Sequence, residues 1–181
     1  MNSENSRSKL TILLADDQTL VSESLKTFLC NYTDDMDVIA LAKNGKEAVR
    51  MAEERRPDII LMDVRMPEMD GVEAVRIIKQ HQPETKILML STYDEDVFVR
   101  SALLAGASGY LLKDISPTEL ITAIRALKNN IMQISPEIVR NMVRQKYGGD
   151  DHDEKSGDAK STPPPPSSRG SKRLPNVNGK S

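Results

Sequence analysis

Tryptophan is absent from this sequence, aromatic residues make up only 3% of it, and cysteine occurs once. Each shortage excludes something. With so few rings, the core has to be built from Leu, Ile, Val, Met and Ala. The single thiol, Cys30, has no partner for an internal disulfide, which fits a reducing compartment. No apolar run approaches the ~18–20 residues of a membrane-spanning helix. The first nine residues are polar and carry no hydrophobic segment of the secretory type. Basic excess is missing too: the formal net charge is -2, so the chain as a whole lacks the electrostatic footprint of a nucleic-acid binder. These absences predict a soluble, cytoplasmic protein. Its 181 residues leave room for one ordinary domain and an appendage.

What the sequence does hold is a series of short apolar runs, each stopping at a polar residue. The clearest covers residues 59–62, ends at Asp63, and is followed by a turn marked by Pro67 and Gly71. Unbroken runs of this kind read as strands buried on both faces, the pattern of parallel sheets covered by helices. Residues 10–15, 38–42, 87–90 and 110–112 form similar runs. Between them, apolar residues recur at helical spacing: Leu20 to Phe28, Ala48 to Ala52, Val72 to Ile78, Val97 to Leu104 and Leu120 to Leu127. Asn44-Gly45 breaks the second strand. Asp94 reads as the N-cap of the fourth helix, and Ser116-Pro117-Thr118-Glu119 has the form of a capping box with proline in the first turn.

Five strands alternating with five helices predict an α/β fold, a flavodoxin-like doubly wound five-stranded parallel sheet of order 2-1-3-4-5, over residues 8–130. Ser135-Pro136-Glu137 starts one more short helix, so residues 131–147 read as a helical extension. From Gly148 the composition changes: four prolines run uninterrupted at 163–166, and only Ala159, Leu174 and Val177 are aliphatic. Such a segment buries too little apolar surface to offset its ordering entropy, and 148–181 is expected to be a disordered low-complexity tail.

In a parallel sheet the strand ends share one edge. This brings together Asp16-Asp17 from the first strand, Asp63 from the third, Ser91 from the fourth and Lys113 from the fifth. Three carboxylates crowded there repel each other unless a cation sits among them. A few hard oxygen ligands, with room for water and phosphate, suit Mg²⁺. One carboxylate oxygen is then free to act as an aspartyl nucleophile toward phosphorus, with Lys113 and the Ser91 hydroxyl contacting the transferred group. Taken alone, Asp63 reads more readily as a solvated turn residue or the N-cap of a short turn, Asp16 and Asp17 as helix caps, and Lys113 as a surface lysine; their weight comes from sharing one edge. Cys30 is expected to pack within its helix, His81 and His152 to be solvated, and Met66 and Met69 to serve packing or partner contacts.

The acidic pair Asp16-Asp17, the segment Met62-Asp63-Val64-Arg65-Met66-Pro67-Glu68-Met69-Asp70-Gly71, Ser91-Thr92, and Gly106-Ala107-Ser108-Gly109-Tyr110-Leu111-Leu112-Lys113-Asp114 together resemble the receiver domain of two-component response regulators, over residues 10 to about 129. The resemblance implies a CheY-like fold and phosphorylation of Asp63 by a sensor histidine kinase or a small phosphodonor. It implies Mg²⁺ held by Asp17, Asp63 and the backbone carbonyl of Arg65, with Asp16 acting through water. It makes Ser91 the switch hydroxyl, Tyr110 the switch aromatic and Lys113 the phosphate-binding lysine. Modification is expected to draw Ser91 and Tyr110 inward and to bias a surface around the fourth helix, fifth strand and fifth helix that binds a partner or a second copy. Such a protein is a switch and not an enzyme. A rival enzyme, an aspartyl-nucleophile phosphatase, would carry a second acid where Arg65 stands. A flavin or dinucleotide binder would need a glycine-rich turn after the first strand, and Gly106 and Gly109 do not form one.

Asp114 after Lys113, together with Ser91-Thr92, resembles the NarL/FixJ-type subfamily, whose members usually carry a C-terminal helix-turn-helix. No such pattern follows Val143. Two arrangements stay open: a receiver acting through protein contacts, or the input half of a DNA-binding regulator. No membrane partner is expected.

Overall fold

A computed structural model of the chain describes residues 9–92 and 96–147. The elements run β1 (Leu10–Ala15), α1 (Thr19–Tyr32), β2 (Met36–Ala42), α2 (Gly45–Arg55), β3 (Ile59–Asp63), α3 (Gly71–His81), β4 (Lys86–Ser91), α4 (Asp96–Ala105), β5 (Gly109–Leu112), α5 (Pro117–Lys128), β6 (Gln133–Ile134) and α6 (Pro136–Tyr147). The sheet is parallel throughout, in the order β2-β1-β3-β4-β5-β6. The assignment of Asp94 as a cap and the reading of residues 148–181 as a disordered tail both lie outside the described residues.

Alternation along the strands sorts the core into two layers. Leu13, Ala15, Ile60, Met62, Ile87, Met89 and Tyr110 face the α2, α3 and α4 side, where Ala48, Ala52, Val75, Ile78, Val99 and Ala102 cover them. Ile12, Leu14, Ile59, Leu61, Leu88, Leu90 and Leu111 face α1 and α5, against Leu29, Leu120, Ile124 and Leu127. Buried aliphatics of this size contribute roughly 1.5–3 kcal/mol each against being left in water. Short polar caps set the helix starts. Asn44 Oδ1 accepts from the Glu47 amide, Asp70 Oδ1 from the Glu73 amide, and Ser116 with Glu119 forms the reciprocal capping box.

The sheet has six strands, one more than the five expected. β6 is only two residues long and contains glutamine, so it offers neither the length nor the apolar run that marks a strand. Tertiary pairing creates it. Gln133 and Ile134 lie in register with Gly109 and Tyr110, the Ser135 amide donates to the Tyr110 carbonyl at 3.0 Å, and the Leu112 amide donates to Ser135 Oγ at 3.0 Å. A side chain at Gly109 would place its Cβ 2.5 Å from the Gln133 carbonyl oxygen, so this neighbour depends on glycine. The extension over 131–147 therefore supplies a strand as well as a helix, and its Ile138 is fully buried in the layer that holds Tyr110. Cys30 is a second correction: it is exposed on α1 rather than packed. Among the described residues no helix is long and apolar enough to cross a membrane.

Candidate functional site

The carboxyl edge of the sheet carries the site. β1 ends beside Asp16 and Asp17, β3 ends on Asp63, and β5 delivers Lys113 immediately after Leu112. Each of the three aspartates offers one carboxylate oxygen within 4.8 Å of the others. Lys113 Nζ lies 2.8 Å from Asp16 Oδ2 and 2.8 Å from Asp63 Oδ2, bridging the first and third strands' acids. Asp63 is nearly enclosed, with its side chain 7% exposed, whereas Asp17 is open to solvent. The remaining oxygens of the enclosed pair are also held: the Val64 amide donates to Asp63 Oδ1 at 2.7 Å, and the Gln18 amide to Asp16 Oδ1 at 2.9 Å.

Burial pushes the Asp63 carboxyl above its ordinary range; Lys113 opposes the shift and the neighbouring Asp16 charge adds to it. For Lys113, burial alone would lower the ammonium, but the bonds to Asp16 and Asp63 outweigh it and the net shift is upward. One ammonium against three carboxylates leaves the pocket with an excess of two negative charges when all are ionised. The donor atoms are hard oxygens, and one of the acids faces water. This set fits Mg²⁺, which takes one or two carboxylates and keeps several waters.

The backbone around Asp63 is packed to the limit. A Cβ on Gly71 would fall 2.0 Å from the Asp63 carbonyl oxygen, and the Gly71 amide donates to the Val64 carbonyl at 2.8 Å. Glycine at that position lets the loop between β3 and α3 fold back on the strand end. In this loop Arg65 is exposed and its guanidinium lies 4.8 Å above the Phe98 ring, tying the loop to α4. No acid occupies that position.

Ser91 ends β4 fully buried, and its carbonyl accepts from the Lys113 amide at 2.8 Å. Tyr110 is also fully buried. Both side chains thus lie inside the fold, Ser91 at the end of β4 and Tyr110 on β5. His81 is exposed with Nδ1 2.9 Å from the Ile77 carbonyl, as expected of a solvated helix-end residue. Met66 and Met69 are half-buried against the core. Sequence reasoning missed Asn44 and Glu68, which meet at 3.2 Å beside the loop; Asn44-Gly45 carried only a strand-breaking signal, and their separation of 24 residues hides the contact.

An acidic edge bridged by one lysine closes the carboxyl end of a doubly wound parallel sheet, and comparisons with known proteins assign that sheet to a family. The chain belongs to the response regulator receiver domain family, whose model matches residues 12–125. It is 40% identical over 136 residues to the transcriptional regulatory protein LnrK of Bacillus subtilis (strain 168), covering 75% of this chain and 61% of LnrK. It is 45% identical over 120 residues to the uncharacterized transcriptional regulatory protein YxjL of the same strain, covering 66% and 55%. A crystal structure of a two-component response regulator of the LuxR family from Aurantimonas sp. SI85-9A1 superposes with a TM-score of 0.71 at 34% identity, over 77% of this chain and 99% of that one. The chain thus spans about three fifths of the length of the curated relatives it matches.

Proposed function

We propose that this chain is a phosphorylation-operated switch that accepts a phosphoryl group on Asp63 in a Mg²⁺-dependent reaction. The observation that carries the reading is the Lys113 ammonium set 2.8 Å from both Asp16 and Asp63, with Asp17 in the same oxygen cluster. Asp17, Asp63 and the Arg65 carbonyl would hold Mg²⁺, with Asp16 acting through water. When bound, Mg²⁺ neutralises the excess negative charge and screens the incoming phosphoryl oxygens. A carboxylate oxygen of Asp63 forms the new P–O bond while the bond from phosphorus to the donor, a phosphohistidine nitrogen or an acetyl oxygen, breaks and leaves with its electron pair. The Val64 amide keeps the carboxylate oriented during that step. Lys113 exchanges its bond to Asp63 for one to a phosphoryl oxygen, and the Ser91 hydroxyl is placed one strand away to accompany it.

The partners of such a switch are a sensor histidine kinase and, after modification, a protein or a second copy recognised on the face formed by α4, β5 and α5. Because the donor kinase draws on ATP, the reaction belongs in the cytoplasm. Arg65 in place of a second acid argues for a switch without turnover of outside phosphoesters. The test is incubation of the full chain with acetyl phosphate and Mg²⁺, followed by intact mass spectrometry. A single phosphoryl adduct is expected, absent without Mg²⁺ and absent in Asp63→Asn. An adduct persisting in that variant, or steady multiple turnover of a phosphoester, would overturn the assignment.

A second reading, the input half of a DNA-binding transcriptional regulator, is favoured by the length of the relatives, which extend well beyond the matched part and are named as transcriptional regulatory proteins. Immunoblotting the protein from its own cells decides between them. A product longer by an effector domain supports the DNA-binding reading, and a product of this length supports action through protein contacts alone.

A further inference from the structure

The β3–α3 loop is held from three directions, and one of them serves no other evident purpose. At its base the Gly71 amide donates to the Val64 carbonyl, and within it the Met69 amide donates to the Pro67 carbonyl at 2.7 Å. On the α4 side Arg65 stacks on Phe98. On the α2 side the turn Asn44-Gly45-Lys46 reaches across. Asn44 Nδ2 donates to Glu68 Oε1 at 3.2 Å, the Gly45 amide donates to the Met69 carbonyl at 3.0 Å, and Lys46 Nζ lies 3.4 Å from Glu68 Oε2. The approach is close enough that a Cβ on Gly45 would meet the Met69 carbonyl oxygen at 2.6 Å. Glu68 itself sits at φ 65°, in the left-handed region that side-chain-bearing residues rarely adopt. A strained loop residue in contact with a neighbouring turn marks a conformation imposed from outside the loop.

We infer that Asn44 and Glu68 are positioning residues for the pocket: their hydrogen bond fixes the loop that carries the Arg65 carbonyl, and so sets the affinity for the cation. The inference rests on the reading of Asp63 as a Mg²⁺-dependent phosphoacceptor. Asn44 is suited to the role because it is 8% exposed and divides its amide between two tasks. Its Oδ1 caps α2 by accepting from the Glu47 amide at 2.8 Å, and its Nδ2 ties the loop. The Lys46 pair is exposed on both sides and contributes little.

The two tasks separate in Asn44→Asp, which keeps the capping oxygen but replaces the donor with a carboxylate facing Glu68. Mg²⁺ affinity of the full chain, measured by titration calorimetry, is expected to fall on the order of tenfold, with a matching loss in phosphoryl uptake from acetyl phosphate and helical content unchanged by circular dichroism. The double variant N44D/E68Q restores a donor–acceptor pair with its polarity reversed and returns the formal charge to that of the wild type, so affinity is expected to recover. Wild-type affinity in Asn44→Asp, or a double variant as weak as that single one, would overturn the positioning role. Failure of the wild type itself to bind Mg²⁺ or take up phosphate would instead bring down the reading of the pocket on which it rests.

Discussion

Asp63 is a carboxylate kept in a place that disfavours its charge. Burial raises its pKa above the ordinary aspartate value, and an acid whose pKa is raised on folding contributes stability below its unfolded pKa that is lost as pH rises through the folded one. At neutral pH, without metal, Asp63→Asn is therefore expected to raise the urea midpoint; a lower midpoint would mean that the Lys113 bond outweighs desolvation. Lys113→Ala works in the opposite direction, since it leaves Asp16 and Asp63 facing each other uncompensated. We expect a loss of about 2–3 kcal/mol in metal-free protein, and a larger rise in stability on adding Mg²⁺ than the wild type shows, both read from urea melts with and without the metal. The four charged residues were legible in the sequence because each follows an apolar strand, and a parallel sheet gathers strand ends on one edge. The sharing of one ammonium was not, because its two acceptors lie 97 and 50 residues away along the chain. The burial of Tyr110 was legible, since residues 110–112 form one of the unbroken runs that read as a strand covered on both faces.

At the scale of elements, α5 is tied to the loop before β2 by a bidentate pair: Arg125 Nε and Nη2 donate to the two oxygens of Asp35 at 3.0 and 2.8 Å. The Arg125 hydrogen bond holds the Asp35 carboxyl below its ordinary value. The contribution is thus present above the unfolded pKa and is lost as pH falls through the lowered one. Both side chains are about half exposed, so Asp35→Asn is expected to cost only about 0.5 kcal/mol at pH 7. The difference between variant and wild type should close as the pH is taken below about 4, which a series of urea midpoints would follow. Elements with a strong local signal were legible: Ser116 and Glu119 box the start of α5, and five continuous apolar runs became five strands. α1 runs from Thr19 to Tyr32, past the Leu20–Phe28 periodicity, because its last turn carries Asn31 and Tyr32 rather than core residues. β6 exists only because β5 offers it a partner, and nothing within Gln133-Ile134 announces that.

For the molecule as a whole, the cation is expected to act as a ligand of the folded state. At a concentration 100-fold above its Kd, Mg²⁺ should add about 2.7 kcal/mol and raise the melting temperature by roughly 5–10 °C, with EDTA reversing the shift. A melting temperature indifferent to both would count against a metal-holding pocket. The two margins of the sheet are finished differently. On one side β6 and the Ser135 hydroxyl occupy hydrogen-bonding positions of Gly109, Tyr110 and Leu112; on the other, β2 is flanked and punctuated by Asp34, Asp35 and Asp37, all exposed. A foreign strand therefore meets an edge strand only two residues long at one margin and a row of carboxylates at the other, conditions that oppose edge-to-edge sheet growth. Crowded neighbours at high expression thus have little backbone to zip onto, and recognition of this protein is left to its side chains.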